Sequence, residues 1–490
     1  MNRNGNIPGP SLALLTDLYQ LTMAYGYWKT GNLEKEGIFN LFFRKNPFSG
    51  GLTVACGLQQ VIDLLENFSF DVSDIDYLAS LTGNDGKALF ERGFLDYLAD
   101  IRFSCDVDAV SEGSVVFPSE PLLRIKGPII QCQILETPLL NILNFQSLIA
   151  TKSARICAAA QGDPVMEFGL RRAQGINGAL AASRAAYIGG CGSTSNVLAG
   201  KIYGIPVKGT HAHSWVMSFA DEEEAFREYS RAMPNNCLFL VDTYDTLTGV
   251  HNAVKIGHEL RKKGHEFNGI RLDSGDLAYL SIEARKILDA GGFNNAIICA
   301  SNDLDEHIIS SLKQQGARIN LWGVGTRLAT GHDQGALGGV YKLVALRDPE
   351  QPWQHRIKLS EQKIKITTPG DLQVRRFIKN GEALGDMIYD QLSGLPERRV
   401  IIDPDDHTRR KKFADDAEVR EMLEPVARRG RIVAPRCDIH ELRQRVKKEL
   451  GYFHEGIRRF VNPHLYPVGL EEKLHQLKAR MITENRKVSE

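Results

Sequence analysis

What the 490-residue chain lacks narrows the reading first. No run of about 18 apolar residues occurs, so no membrane-spanning helix is expected, and the opening stretch MNRNGNIPGP has no apolar core of the kind a secretory leader needs. Neither sign of charge is in excess. Lys plus Arg and Asp plus Glu each number 60, so nothing advertises nucleic acid or an anionic membrane as a partner. Cysteine is sparse: eight are present, none in a Cys-x-x-Cys pair, and they sit singly in apolar settings such as Ile297-Ile298-Cys299-Ala300. Reduced, packed thiols fit that pattern. The expectation is a soluble, cytoplasmic protein with a small ligand. The phosphate-binding pattern Gly-x-x-x-x-Gly-Lys-Ser/Thr is absent too, so any phosphate must be held another way.

What is present is alternation. Between residues 165 and 344, short β-prone runs alternate with helical stretches: Val165 to Phe168, Ala186 to Gly189, Ile205 to Val207, Leu238 to Val241, Gly269 to Leu272, Ala296 to Ala300, Ile319 to Trp322 and Val340 to Val344. The segments between them, such as Ser214 to Met233, are long enough for amphipathic helices, and eight βα repeats predict a (β/α)8-like barrel. The first 135 residues mix helical and strand-like pieces without that order, and beyond Val344 the chain turns polar, with a helical tail from Asp438 to Lys448. We therefore expect an N-terminal α+β domain over 1–135, a catalytic β/α domain over 136–345, and a segment over 346–490 that returns to the flanking domain.

In a barrel the loops after the strands converge on one mouth, so the strand ends are the place to look for chemistry. They read EFGLRRAQG, GGCGSTSN, KGTHAHS, VDTYD, RLDSGD, ASNDLD, WGVGTR and LGGVYK. In RLDSGD, Asp273 and Asp276 can act together on ribose hydroxyls or a phosphate-bound Mg²⁺, although Asp276 is equally suited to cap the next helix. The glycines of WGVGTR and GALGGVY, Gly323, Gly325, Gly338 and Gly339, can let backbone N–H groups approach a phosphate, or only make tight turns. Arg171 and Arg172 offer bidentate recognition of a carboxylate or phosphate. In KGTHAHSW a strand would aim His211 and His213 to one side, as two zinc ligands of a barrel hydrolase, but the later strand ends supply Asp and Gly rather than further histidines. The competing reading is one imidazole, next to Thr210 and Ser214, serving as phosphoryl acceptor or general base.

The ordered set LTDLYQLTMAYGYW, FGLRRAQG, GSTSNVLAG, GTHAHSWVMSF, RLDSGDL, ASNDLDE and GVGTR followed by LGGVYKLV closely resembles the nicotinate phosphoribosyltransferase family over roughly residues 10 to 390. The resemblance implies an irregular (β/α) barrel of the type II phosphoribosyltransferase kind. It also implies a reaction of nicotinate with 5-phosphoribosyl 1-pyrophosphate, driven by ATP with Mg²⁺ through a phosphohistidine, in a homodimer with a shared site. His213 matches the phosphohistidine position, leaving His211 a bystander. By the same resemblance Tyr19, from the partner subunit, and Phe168 would sandwich the pyridine, with Arg171 near it, and Arg271 and Asp273 would address base and ribose. Thr210 and Ser214 would flank the phosphohistidine, Thr367 would lie near the phosphoribosyl donor, and the four glycines would cradle the 5′-phosphate. Asn196, where nicotinamide-using relatives carry Asp, would favour a carboxylate over a carboxamide substrate. The alternatives are a nicotinamide or quinolinate phosphoribosyltransferase, a zinc hydrolase, and a non-catalytic sugar-phosphate binder.

Overall fold

The computed structural model describes residues 12–486, so the MNRNGNIPGP stretch lies outside the described residues. The chain divides into two compact units: one holds Ile149–Gly335, the other joins the described residues up to Leu148 with those from Ala336 onward.

The first unit is α/β. Its six strands run in the order Ser193–Thr194, Val165–Glu167, Leu321–Val324, Ile297–Ala300, Gly269–Leu272, Leu238–Leu240, every neighbouring pair parallel. Parallel neighbours require a crossover, and helices supply it, including Gly175–Ile188, Thr246–Lys262 and Leu277–Ala290. Strand residues such as Ile270, Leu272, Ile298, Ala300, Trp322 and Val324 are fully buried, as expected of strands covered on both faces.

The strand ends are rich in Asp and Asn partly because half of these residues cap the helix that follows. Asn196 accepts from Ala199 N–H at 3.1 Å, Asp245 from Thr248 at 2.9 Å, Asp276 from Tyr279 at 3.0 Å, and Asp305 from both His307 and Ile308. Each satisfies donors that the first helical turn leaves unpaired.

Three expected strands are corrected. Ala186 to Gly189 closes the helix Gly175–Ile188, and the strand falls at Ser193–Thr194. The run of small apolar residues suits a buried helix as well as a strand, which periodicity alone does not separate. Ile205 to Val207 forms no strand, only a single parallel bridge between Thr194 and Val207. Val340 to Val344 belongs to Gly339–Arg347, which pairs antiparallel with Glu36–Phe43 in the other unit. The expected helix from Ser214 to Met233 is also split, into His213–Met217 and Glu222–Ala232, because Asp221 caps the second piece.

The second unit carries a seven-stranded antiparallel sheet that interleaves early and late chain: Gln354–His355, Gly339–Arg347, Glu36–Phe43, Leu123–Pro128, Asp106–Val110, Leu423–Arg428, Arg431–Ile432. A six-stranded sheet, centred on Val468–Leu470 and Glu382–Asp390, comes wholly from beyond residue 371. The tail helix runs Ile439–Gly451, started by Asp438 and Glu441 in a capping box.

Candidate active site

The C-terminal ends of adjacent parallel strands bring one connected polar network together. Arg271, on Gly269–Leu272, is its hub: Nε donates to Ser301 Oγ at 2.8 Å, one terminal nitrogen to Thr210 Oγ1 at 3.0 Å, and the other to Asp273 Oδ1 at 2.8 Å. Ser301 in turn donates to the same Asp273 oxygen. The guanidinium carbon lies 5.8 Å from the centroid of the Phe168 ring, so the cation also faces an aromatic wall. Among the described residues no protein donor reaches Asp273 Oδ2, which leaves one carboxylate oxygen open.

His213 starts the short helix His213–Met217, and its Nε2 lies 3.2 Å from Asp242 Oδ1. The Asp242 side chain is only 1 % exposed, and its other oxygen accepts from Asp273 N–H at 2.9 Å and Ser274 Oγ at 2.6 Å. A carboxylate so pinned orients the imidazole with Nε2 as donor, and the Nδ1 lone pair is the free one. The His213 side chain is 40 % exposed, whereas the carboxylate that holds it is not. Asp242 was missed by the sequence reading. VDTYD stood among the strand ends, but nothing in that stretch ranks its first aspartate above its second, which is a helix cap.

The two histidines have unlike fates. His211 is 8 % exposed, with its ring among Phe226, Tyr229 and Phe239, and its Nε2 accepts the backbone N–H of Leu240 at 3.2 Å. Burial pushes its pKa down to about 4, so it is a neutral acceptor at physiological pH. The residues around 211 follow no strand, so the two rings do not share a face, and no group of three or more His, Cys, Asp or Glu able to hold a metal occurs among the described residues. The paired zinc ligands weighed from the sequence are therefore corrected to one buried and one solvent-facing imidazole. Cysteine offers no rival nucleophile at this end: burial pushes Cys299 up to about 12 and Cys237 up to about 11.

The other expected residues separate into open and engaged. Arg171 is exposed and makes no hydrogen bond or ion pair among the described residues, and Ser214 is exposed beside His213. Asn196 is 2 % exposed with both ends of its amide in use, Oδ1 as a cap and Nδ2 donating to Ser183 Oγ at 3.2 Å. Ser183 and Thr194 both donate to the buried Glu167, so Asn196 is part of a closed cluster. A Cβ on Gly323 would lie 2.9 Å from the Phe168 ring and push it, and one on Gly325 would crowd the Phe168 carbonyl at 3.1 Å, so both glycines give Phe168 room.

In the second unit, Gly338 has φ of +77° with nothing near its Cβ position, and Gly339 N–H donates to Asn144 at 3.1 Å. Thr367 is 1 % exposed and its hydroxyl accepts from Lys358 N–H at 2.9 Å. Tyr19 is 49 % exposed on the helix Leu18–Lys29, near the likewise exposed Leu15, Leu18 and Met23.

An imidazole with one nitrogen held and the other open, at the strand ends of a parallel sheet, is an arrangement that α/β group-transfer enzymes can use. Comparison with known proteins makes the family definite. Family models for the N-terminal domain, the family proper and the C-terminal domain of nicotinate phosphoribosyltransferase match residues 14–144, 164–347 and 372–478. Nicotinate phosphoribosyltransferase of Bacillus subtilis (strain 168) is 43 % identical over 96 % of this chain and 97 % of its own length, and that of Homo sapiens 34 % over 95 % of each. The crystal structure of human nicotinic acid phosphoribosyltransferase superposes with a TM-score of 0.82 at 32 % identity, covering 96 % of this chain and 100 % of that one. A nicotinate-nucleotide pyrophosphorylase from Pyrococcus furiosus shares the fold, with a TM-score of 0.70 at 23 % identity over 92 % of this chain and 99 % of its own. The chain belongs to the nicotinate phosphoribosyltransferase family.

Proposed function

We propose that the enzyme joins nicotinate to the ribosyl carbon of 5-phosphoribosyl 1-pyrophosphate, releasing pyrophosphate, and that ATP is hydrolysed alongside through a phosphate carried on His213. The observation that carries the ATP step is the His213–Asp242 pair. Asp242 holds Nε2–H, so the Nδ1 lone pair attacks the terminal phosphorus of ATP, the bond to the ADP oxygen breaks, and water later returns the phosphate to solution. The ring keeps its Nε2 proton throughout, and Asp242 stabilises the charge that phosphorylation leaves on the imidazole.

At the sugar, loss of pyrophosphate leaves an oxocarbenium-like carbon, so the protein is needed to position reactants and stabilise departing charge rather than to attack. Arg271, locked by three partners, presents a fixed cation, and the open oxygen of Asp273 is suited to ribose hydroxyls. A Mg²⁺ brought in by the diphosphate needs only one or two protein carboxylates, and Asp273 Oδ2 fits that requirement. Arg171, exposed and unpaired, is suited to the nicotinate carboxylate. With its amide engaged, Asn196 supports the preference for nicotinate indirectly, by adding a neutral group rather than a second carboxylate beside Glu167.

The reading includes an irregular barrel. The segment that bridges Thr194 at Val207 and caps the Leu240 N–H with His211 touches both edge strands of the parallel sheet, which supports closure. It includes a homodimer, in which exposed Tyr19 stacks on the partner's pyridine, and a cytoplasmic setting, which the eight free cysteines suit. No helix among the described residues is long and apolar enough to cross a membrane.

The test is product formation from nicotinate, nicotinamide and quinolinate in parallel, each with phosphoribosyl pyrophosphate and Mg²⁺, with and without ATP. Nicotinate mononucleotide should dominate, ATP should stimulate it, and His213→Ala should abolish the stimulation. Unchanged ATP dependence in that variant refutes the phosphohistidine.

A further inference from the structure

Glu167 closes the strand Val165–Glu167 and is 1 % exposed. One of its oxygens accepts from Gly169 N–H, and the other accepts from Ser183 Oγ at 2.9 Å and Thr194 Oγ1 at 2.6 Å. Its partners among the described residues are thus a backbone N–H and two hydroxyls, with no cation. Burying a carboxyl group costs free energy even when it is hydrogen-bonded, and an apolar side chain of similar bulk ordinarily fills such a place at lower cost. The use of this acid lies in what its three donors hold together.

Those donors belong to separate pieces of the first unit: Gly169 follows Phe168, Ser183 lies on the helix Gly175–Ile188, and Thr194 ends the strand Ser193–Thr194. Phe168 is half-buried, and its own N–H donates to the Val324 carbonyl at 2.8 Å. Both peptide planes that flank the Phe168 Cα are therefore pinned, one by Val324 and the other by Glu167, which fixes the direction in which the ring leaves the backbone. The turn has no slack, since a Cβ on Gly169 would collide with Ala329. On the far side of the carboxylate, Thr194 Oγ1 accepts from Asn196 N–H at 3.0 Å and Ser183 Oγ accepts from Asn196 Nδ2 at 3.2 Å. One buried acid thus ties the ring at 168 to the segment at 194–196.

We propose that Glu167 is a positioning residue for the aromatic substrate: it sets the ring of Phe168 relative to the 194–196 segment, and with it the slot for the pyridine, without touching the substrate itself. The proposal rests on the reading that the pyridine stacks on Phe168.

Steady-state kinetics of the full chain test it, with nicotinate and the phosphoribosyl donor varied separately and stability followed by urea unfolding. Glu167→Leu keeps the bulk and accepts nothing; it should raise KM for nicotinate about tenfold to a hundredfold, with KM for the donor changed by less than about twofold. Glu167→Gln should return to within about threefold of the parent, because its oxygen can serve the fixed Gly169 N–H while its NH₂ meets the two hydroxyls, which accept as well as donate. Phe168→Ala should raise the same KM, and adding Glu167→Leu to it should change little further, since both act through one ring. A residue that only supports the fold would lower stability and the active fraction and leave both KM values alone. An unmoved nicotinate KM in Glu167→Leu, or effects of Glu167→Leu and Phe168→Ala that multiply, overturns the proposal while the pyridine keeps its place on Phe168. An unmoved KM in Phe168→Ala overturns that place, and the role of Glu167 with it. Should Glu167→Leu fail to fold, Thr194→Val removes one donor with little change of shape and should raise KM for nicotinate about threefold; the parental value in that variant overturns the proposal equally.

Discussion

The two units use charge in opposite ways. In the second, Arg376 is fully buried, bonded through Nε and Nη2 to Asp386 and through Nη2 to the Val115 carbonyl, with Tyr466 donating to the same carboxylate and the rings of Phe117, Phe453 and Tyr466 all within 6 Å of the guanidinium. In the first, Arg271 bonds to three side chains, yet its network ends in loose valences: Nδ1 of His213 and Oδ2 of Asp273. The Arg376 cluster also has a spare valence, Nη1, but it is sealed from solvent and serves conformation, whereas the spare valences around Arg271 lie where a ligand can reach them. Residue type alone does not distinguish the two, since both are arginine–aspartate pairs.

That contrast can be broken at either end. The largest effect is expected at Asp242. Asp242→Asn keeps the shape but removes the charge that fixes and stabilises the imidazole, and ATP-driven turnover should fall on the order of 10²–10⁴-fold. Rapid-quench labelling of His213 with ³²P from ATP checks it; labelling at the parental rate would refute the assignment. In the closed network, Arg376→Met strands Asp386 without its cation and should cost about 3–5 kcal/mol of stability, read by urea unfolding, with turnover per folded molecule little changed.

His211 gives a smaller, pH-dependent signature. Its folded value of about 4 lies below the ordinary 6.5. Below pH 6.5 the unfolded chain takes up a proton that the folded protein refuses, so stability is full above 6.5 and falls as pH drops toward 4. The loss is about 3 kcal/mol across that window. His211→Leu should flatten this slope, and an identical slope in that variant would show that other groups carry it. The smallest effect is expected from Thr210→Val, which removes one of the three Arg271 partners: a rise in KM for the phosphoribosyl donor of about tenfold, corresponding to roughly 1–1.5 kcal/mol.

Part of this site was legible in the sequence because parallel α/β folds place loops by rule: a short β-prone run predicts where its end will be, and Arg271 and Asp273 stand at such an end, whereas His213 was singled out by the family resemblance, since the run before it forms no strand. Where the runs were misjudged, the cause is physical. Ala186 to Gly189 is as apolar within a buried helix as it would be in a strand, and Val340 to Val344 has the composition of a strand without any mark of the sheet it joins. Asp242 was not legible because its importance lies in burial and in two donors from a neighbouring strand end some thirty residues away. Asn196 shows the converse: its position matched a pattern, but the backbone of the following helix claims its side chain.

The bond from Leu240 N–H to His211 has a mechanical consequence. It anchors the chain two residues before His213, so the reactive ring rides on a short tether to a rigid strand and has little freedom beyond its own side-chain torsions. On the phosphohistidine route proposed above, such a mounting would let a phosphoryl group come and go at 213 without the loop swinging, and a shape change in the ATP cycle would be taken up by the parts that meet the phosphate rather than by the arm that carries it.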